Sequence, residues 1–113
     1  MFQGLAVNSE HYMSLLSARQ KLVASNIANA DTPGYKTQDI NFRAAFENAL
    51  AGDPSSEPSV MEAEGLTTKP DGNNVNIDRE ARLLAENAMR FSIASNFARA
   101  ELNSVKTAIQ ESK

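Results

Sequence analysis

The chain has 113 residues, 42 % of them hydrophobic, with no Trp and no Cys, so one small domain with a thin core is all it can build alone. The missing cysteines exclude a thiol nucleophile, a thiolate metal site and any disulfide. Net charge is −3: residues 1–36 and 77–113 each carry +1 and residues 37–76 carry −5, with no basic patch to neutralise phosphates, so nucleic acid is not an expected partner.

The first run, Met1-Phe2-Gln3-Gly4-Leu5-Ala6-Val7, lacks the basic start and long apolar stretch of a cleaved secretory leader, and none is expected. No segment is apolar for long enough to cross a bilayer. Composition alone points to a soluble cytosolic chain.

A helix is expected from about Asn8 to Ala30, because Met13, Leu16, Gln20, Val23, Ile27 and Ala30 recur at spacings of three and four. Asn8 or Ser9 suits its N-cap, and Glu10 suits the positive end of the helix dipole. Leu15 and Leu22 widen the apolar arc, so this helix wants contact on more than one side. Asp31-Thr32-Pro33-Gly34-Tyr35 stops it: Pro33 disfavours helical geometry at Thr32, and Pro33-Gly34 predicts a type II turn with Gly34 at positive φ.

Residues 37–76 are mixed. Asn41 can cap a short helix carrying Phe42, Phe46 and Leu50, ended by Gly52. Asp53 to Ser59 predicts a mobile acidic loop, and Met61 to Lys69 shows no clear period. Pro70-Asp71-Gly72-Asn73-Asn74 predicts a turn, followed by a short extended piece at Val75 and Ile77.

A long helix is expected from about Asp78 to Gln110. Ala81, Ala88, Ser95, Leu102 and Ile109 repeat every seven residues, and Leu84, Phe91, Ala98 and Val105 repeat alongside them, which predicts a coiled-coil-like a/d seam. Away from that seam, Asp78, Arg82, Glu86 and Arg90 alternate in sign one turn apart, as on a solvated face.

The expected fold is therefore mainly α. Long N- and C-terminal helices pair as a coiled-coil-like hairpin, with a short helix, extended pieces and the acidic loop between them. Segments 1–36, 37–76 and 77–113 together form one domain. Such a hairpin cannot cover the broad arc of Leu15, Leu16, Leu22 and Val23, so other subunits are expected to bury what it leaves open.

No catalytic constellation is visible. His11 stands alone on a helix surface, and Glu62 and Glu64 have no apolar pocket to tune them. Asp71-Gly72-Asn73-Asn74 lacks the acidic ligand that closes a calcium loop, since Arg82 stands in that place. The glycines form no phosphate cradle. Neither catalysis, nor a metal, nor a cofactor is expected, and the periodic helices would serve a helical adaptor or secretion chaperone as well as an assembly subunit.

The stretch Ala24-Ser25-Asn26-Ile27-Ala28-Asn29-Ala30-Asp31-Thr32-Pro33-Gly34-Tyr35-Lys36 separates these alternatives, because it resembles the N-terminal signature of the flagellar axial family of rod, hook and hook-associated proteins. Its small residues allow close helix approach, and Asn26 and Asn29 offer amides that can fix register. Asp39-Ile40-Asn41-Phe42 and the run from Asp71 to Glu80 resemble the proximal-rod members, and the chain has no room for the inserted domains of hook and distal-rod proteins. FlgC is the nearest alternative within the family.

The resemblance implies a structural subunit that assembles helically in the periplasmic part of the basal body, joining the MS ring to the rest of the drive shaft. Its implied partners are copies of itself, FlgC, the adaptor FliE, the MS-ring protein, the distal rod, and the flagellar type III export apparatus, which needs no cleaved leader. No small-molecule substrate is implied. The residues expected to pack between subunits are Leu16, Val23, Asn26, Ile27, Asn29, Leu84, Phe91, Ala98, Leu102 and Val105. Pro33, Gly34 and Tyr35 are expected to form the turn that leads the chain out of the helix layer.

Overall fold

The computed structural model describes residues 2–51 and 58–111, with side chains described from Ser9 onward except at residue 49. The helix-ending Gly52 and the acidic loop from Asp53 to Glu57 lie outside what is described, whereas Asn8 falls within the first helix and does not cap it.

Helix α1 runs from Phe2 to Ala28, starting six residues earlier than the cap chemistry suggests. No proline interrupts residues 2–9, so the backbone continues through Ser9 and Glu10 instead of beginning there. Leu15, Leu16 and Val23 form its buried apolar face. At the C-terminal end Asn26 is fully buried and Ile27 is 37 % exposed, the reverse of what the apolar spacing predicts.

Strand β1, Gln38–Ile40, and strand β2, Val60–Glu62, pair antiparallel with Asp39 opposite Met61. Neither is evident from the sequence, because three residues are too few to show a period. Between them lies α2, Phe42–Leu50, where the Asn41 side chain accepts the Ala44 N–H at 3.2 Å as the expected N-cap. Phe42 and Phe46 of α2 set their rings edge-on to Tyr12 of α1, at centroid distances of 5.7 and 5.9 Å.

Helix α3, Ile77–Glu111, packs along α1 and makes the molecule a rod of 68 × 26 × 17 Å. Asn76 caps it, accepting the Arg79 N–H at 3.1 Å, and Asp78 and Glu80 occupy the positive first turn. The seam of α3 is shifted by one residue from the expected heptad. Its buried positions are Glu80, Asn87 and Ala94, not Ala81, Ala88 and Ser95. Leu84, Phe91, Leu102 and Val105 flank that seam and stay 37, 43, 68 and 36 % exposed. The arc of Leu15, Leu16, Leu22 and Val23 on α1 is largely covered within the chain, and most of the exposed large apolar side chains among the described residues lie on α3.

Candidate assembly site

Two polar clusters hold the helices and strands in place. Asn26, on the last turns of α1, is the centre of the first. Its amide donates to the Gln38 carbonyl at 2.8 Å and to Glu80 Oε2 at 3.1 Å. Its carbonyl accepts the Gln38 N–H at 3.0 Å and the Tyr35 hydroxyl at 3.1 Å. All four bonding positions of the amide are thereby used. Asn26 borders β1 on the edge away from β2, pairing with the Gln38 backbone as a neighbouring strand would.

Glu80 is fully buried, which a carboxylate tolerates only when paired. Arg79 supplies that charge through Nη1, and its Nη2 reaches Asp39 at 2.9 Å. Arg19 meets the same Asp39 through two bonds, at 3.1 and 3.2 Å. Two arginines and two carboxylates thus form a neutral chain joining α1, β1 and α3. Loss of any one member would strand a partly buried charge.

The second cluster fastens the turn after α1. Gly34 has φ 76 and the Tyr35 N–H donates to the Thr32 carbonyl at 3.2 Å, the arrangement expected of a type II turn with Pro33 second and Gly34 third. The turn at residues 69–72 packs directly on it: the Gly34 N–H donates to the Asp71 carbonyl at 2.9 Å. A Cβ at Gly72, whose φ is 88, would lie 3.3 Å from Gly34 Cα, so two glycine backbones are in contact.

Asn73 and Asn74 complete the clamp. Buried Asn73 donates to the carbonyls of Asn29 at 2.9 Å and Thr32 at 2.8 Å, each of which also accepts a backbone N–H, and so ties the chain beyond α1 to the second turn. Its own carbonyl accepts the Val75 N–H at 2.8 Å. Asn74 accepts the Thr37 N–H at 2.7 Å, and Lys36 donates to the Gly72 carbonyl at 2.7 Å. Asn29 donates to the Ser25 carbonyl at 2.8 Å and finishes the helix.

The residues named from the sequence fall into three places. Leu16, Val23 and Asn26 are buried inside the chain. Asn29, Pro33, Gly34 and Tyr35 belong to the turn clamp, with Pro33 and Gly34 exposed. Ile27, Leu84, Phe91, Leu102 and Val105 are partly exposed, and Ala98 is half-buried. Phe91 lines a groove with Leu16, Gln20 and Asn87, while Ala98, Leu102 and Val105 line another with Met13. Asn87 fixes the α1–α3 spacing there by donating to the Leu16 carbonyl at 2.7 Å and to Gln20 at 2.9 Å.

Sequence inspection did not single out Arg19, Asp39, Asn73, Asn74, Arg79, Glu80 or Asn87 as site residues. For Asn73 and Asn74 a signal was present, since paired Asn after a tight turn readily bond nearby backbone. Nothing in these clusters resembles reaction chemistry, and no metal-ligating group is found among the described residues. No described helix is long and apolar enough to cross a membrane. What the clusters do is fix one arrangement of α1, β1 and α3 while leaving apolar rows of α3 open.

Comparison with known proteins agrees with a scaffold. A family model described as flagella basal body rod protein matches residues 13–36, which span most of α1 and the clamped turn. The flagellar basal body rod protein FlgB of Borrelia hermsii is 32 % identical over 130 residues, covering 94 % of this chain and 96 % of that one. FlgB of Bacillus subtilis is 27 % identical, covering 100 % and 98 %, and FlgB of Aeromonas hydrophila is 31 % identical, covering 89 % of each.

Proposed function

From the premise that the chain belongs to the FlgB family of flagellar basal body rod proteins, and is a structural, non-enzymatic subunit of that rod, we propose that it builds the proximal rod through the open face of α3. It assembles with other basal-body components. In the finer reading, these are further copies of itself, FlgC, FliE and the MS-ring protein on one side and the distal rod on the other. The subunit reaches the periplasmic part of the cell envelope through the flagellar type III export apparatus.

The observation that carries this reading is the contrast between the two surfaces of α3. Its inward side is pinned by polar contacts at Glu80 and Asn87, which set the rotation of the helix. Its flank then presents Leu84, Phe91, Leu102, Val105 and Ile109, all at least about a third exposed, along one side. Exposed apolar rows of that length mark an interaction surface rather than a solvated one. Ile27, Asn29 and Ala98 are proposed to lie at the edge of the same contact.

Phe91→Asp tests this. The side chain is 43 % exposed, so the chain should still fold. A charge in an apolar subunit contact should remove the protein from isolated basal bodies and abolish swimming, with export unchanged. Normal basal bodies in the variant would remove Phe91 from the assembly face.

A further inference from the structure

The two outer edges of the β1–β2 ribbon differ. The Ala63 N–H donates to the Thr37 carbonyl at 2.9 Å and Gln38 stands opposite Glu62, so Thr37–Ala63 and Asp39–Met61 are the hydrogen-bonded pairs of the ladder. Gln38 and Ile40 therefore turn their backbone groups away from β2, and Val60 and Glu62 turn theirs away from β1. Side chains close the outer edge of β1. The Asn26 amide meets both Gln38 groups, at 2.8 and 3.0 Å, and the Asp39 carboxylate accepts the Ile40 N–H at 2.8 Å. On the outer edge of β2, no described residue bonds the outward groups of Val60 or Glu62.

That open edge is both apolar and acidic. Val60 and Met61 are 55 and 47 % exposed, and Glu62 and Glu64 are exposed with no ion pair among the described residues. The two bases of residues 37–76 are engaged elsewhere, Arg43 with Glu47 at 3.2 Å and Lys69 with the Ala30 carbonyl at 3.5 Å. Free edges are commonly guarded by a lysine, a proline or a bulge, and Val60–Glu62 has neither such residue and an unbroken register. Pro58, which lacks an N–H, and Gly65, at φ 77, mark the two ends of the unguarded stretch.

We propose that in the assembled rod this edge of β2 is completed by an extended, basic segment of another basal-body protein. The proposal rests on the rod-subunit reading and uses none of the α3 residues named there. The incoming strand takes up the outward N–H and C=O groups of Val60 and Glu62. Alternation then sets a Lys or Arg opposite Glu62 and an apolar side chain beside Met61 on the other face. A second copy does not fit the edge, because two β2 strands side by side collect the Glu62 and Glu64 carboxylates of both copies and no base. A twofold pairing of like edges would also close on itself, whereas a helical assembly needs contacts that propagate.

Hydrogen exchange read amide by amide in isolated basal bodies tests the proposal. An added strand should slow the Val60 and Glu62 amides as much as those of Met61 and Ala63. A free edge leaves an alternating pattern, with residues 60 and 62 exchanging about tenfold or more faster than 61 and 63. Glu62→Pro removes an N–H that β1 does not use, a change an edge strand accepts on its open side, and should lower the amount of the chain in basal bodies about tenfold. Glu62→Lys reverses the charge and should lower it as much, while Glu62→Gln, which keeps the backbone donor, should lower it less. Uniform protection together with loss of the Lys variant supports the proposal. Alternating exchange in the rod, or full incorporation of Glu62→Lys, would overturn it. Disulfide-linked pairs of Val60→Cys subunits in the rod would make the occupant a second copy and overturn it as well. Absence of the wild-type chain from basal bodies is a different result, and it would overturn the rod-subunit reading itself.

Discussion

Replacing Asn26 by Asp removes both N–H donors of a side chain that makes four hydrogen bonds and changes its volume hardly at all. The lost Nδ2 group donates to Glu80 Oε2 at 3.1 Å and to the Gln38 carbonyl at 2.8 Å. Glu80 is fully buried, so its oxygen cannot turn to water and should cost about 1–3 kcal/mol when left unmatched. Gln38 is exposed and can recover part of its loss, which leaves roughly 0.5–1 kcal/mol for that bond. Two carboxylates then face each other at the distance of the former bond, which adds repulsion to the lost donor. Together these give about 2–4 kcal/mol, a large part of the 5–15 kcal/mol that holds a typical domain folded.

Urea denaturation followed by far-ultraviolet circular dichroism should show that loss as a lower midpoint with little change in slope. Asn29→Ala, which removes a bond at the exposed helix end, should cost only about 0.5–1 kcal/mol. The second-site variant Asn26→Asp/Glu80→Gln places an amide opposite the new carboxylate and should recover about half of the loss, as coupled neighbours do. An Asn26→Asp midpoint equal to that of the wild type, or no recovery in the double variant, would refute the buried-donor account.

Gly34→Val forces a β-branched residue to φ 76, at a cost of about 1–2 kcal/mol, and displaces the turn that Asp71 holds. Rod assembly should fail more severely than the free chain is destabilised, and wild-type swimming in this variant would show that the turn is a permissive surface loop. Asn73→Ala removes the second donor to the Asn29 and Thr32 carbonyls, which keep the Thr32 and Tyr35 N–H groups, and leaves the buried Val75 N–H unmatched, for a loss of about 2–4 kcal/mol in all. Asn76→Ala, removing only the α3 cap, should cost about 1 kcal/mol, so a loss as small for Asn73 as for Asn76 would argue against the clamp.

The sequence by itself determined the three helices, the Asn41 cap of α2 and the turn, because each follows from local chemistry. Apolar spacing marked α1 and α3, Asn41 marked the start of α2, and Pro33-Gly34 marked a turn whose φ can be met by glycine without strain. The signature from Ala24 to Lys36 also placed the chain among flagellar axial proteins, since that run is long and specific. Tertiary structure alone decided which side of each helix faces inward. Periodicity ranks positions by hydrophobicity, and the inward heptad of α3 begins with Glu80 and Asn87, which such a ranking rejects.

Glu80 can be buried only because Asn26 and Arg79 arrive from positions 54 residues away and next door, and Arg79 in turn needs Asp39 from β1. Asn87 is held by a backbone carbonyl of α1, 71 residues distant in the chain. These polar pins rotate α3 by about one residue from its apolar optimum. Leu84, Phe91, Leu102 and Val105, legible in the sequence as a core seam, are thereby turned half outward. No local rule contains that rotation, because a buried hydrogen bond is worth its cost only when both partners are present, and the partners meet only in the folded chain.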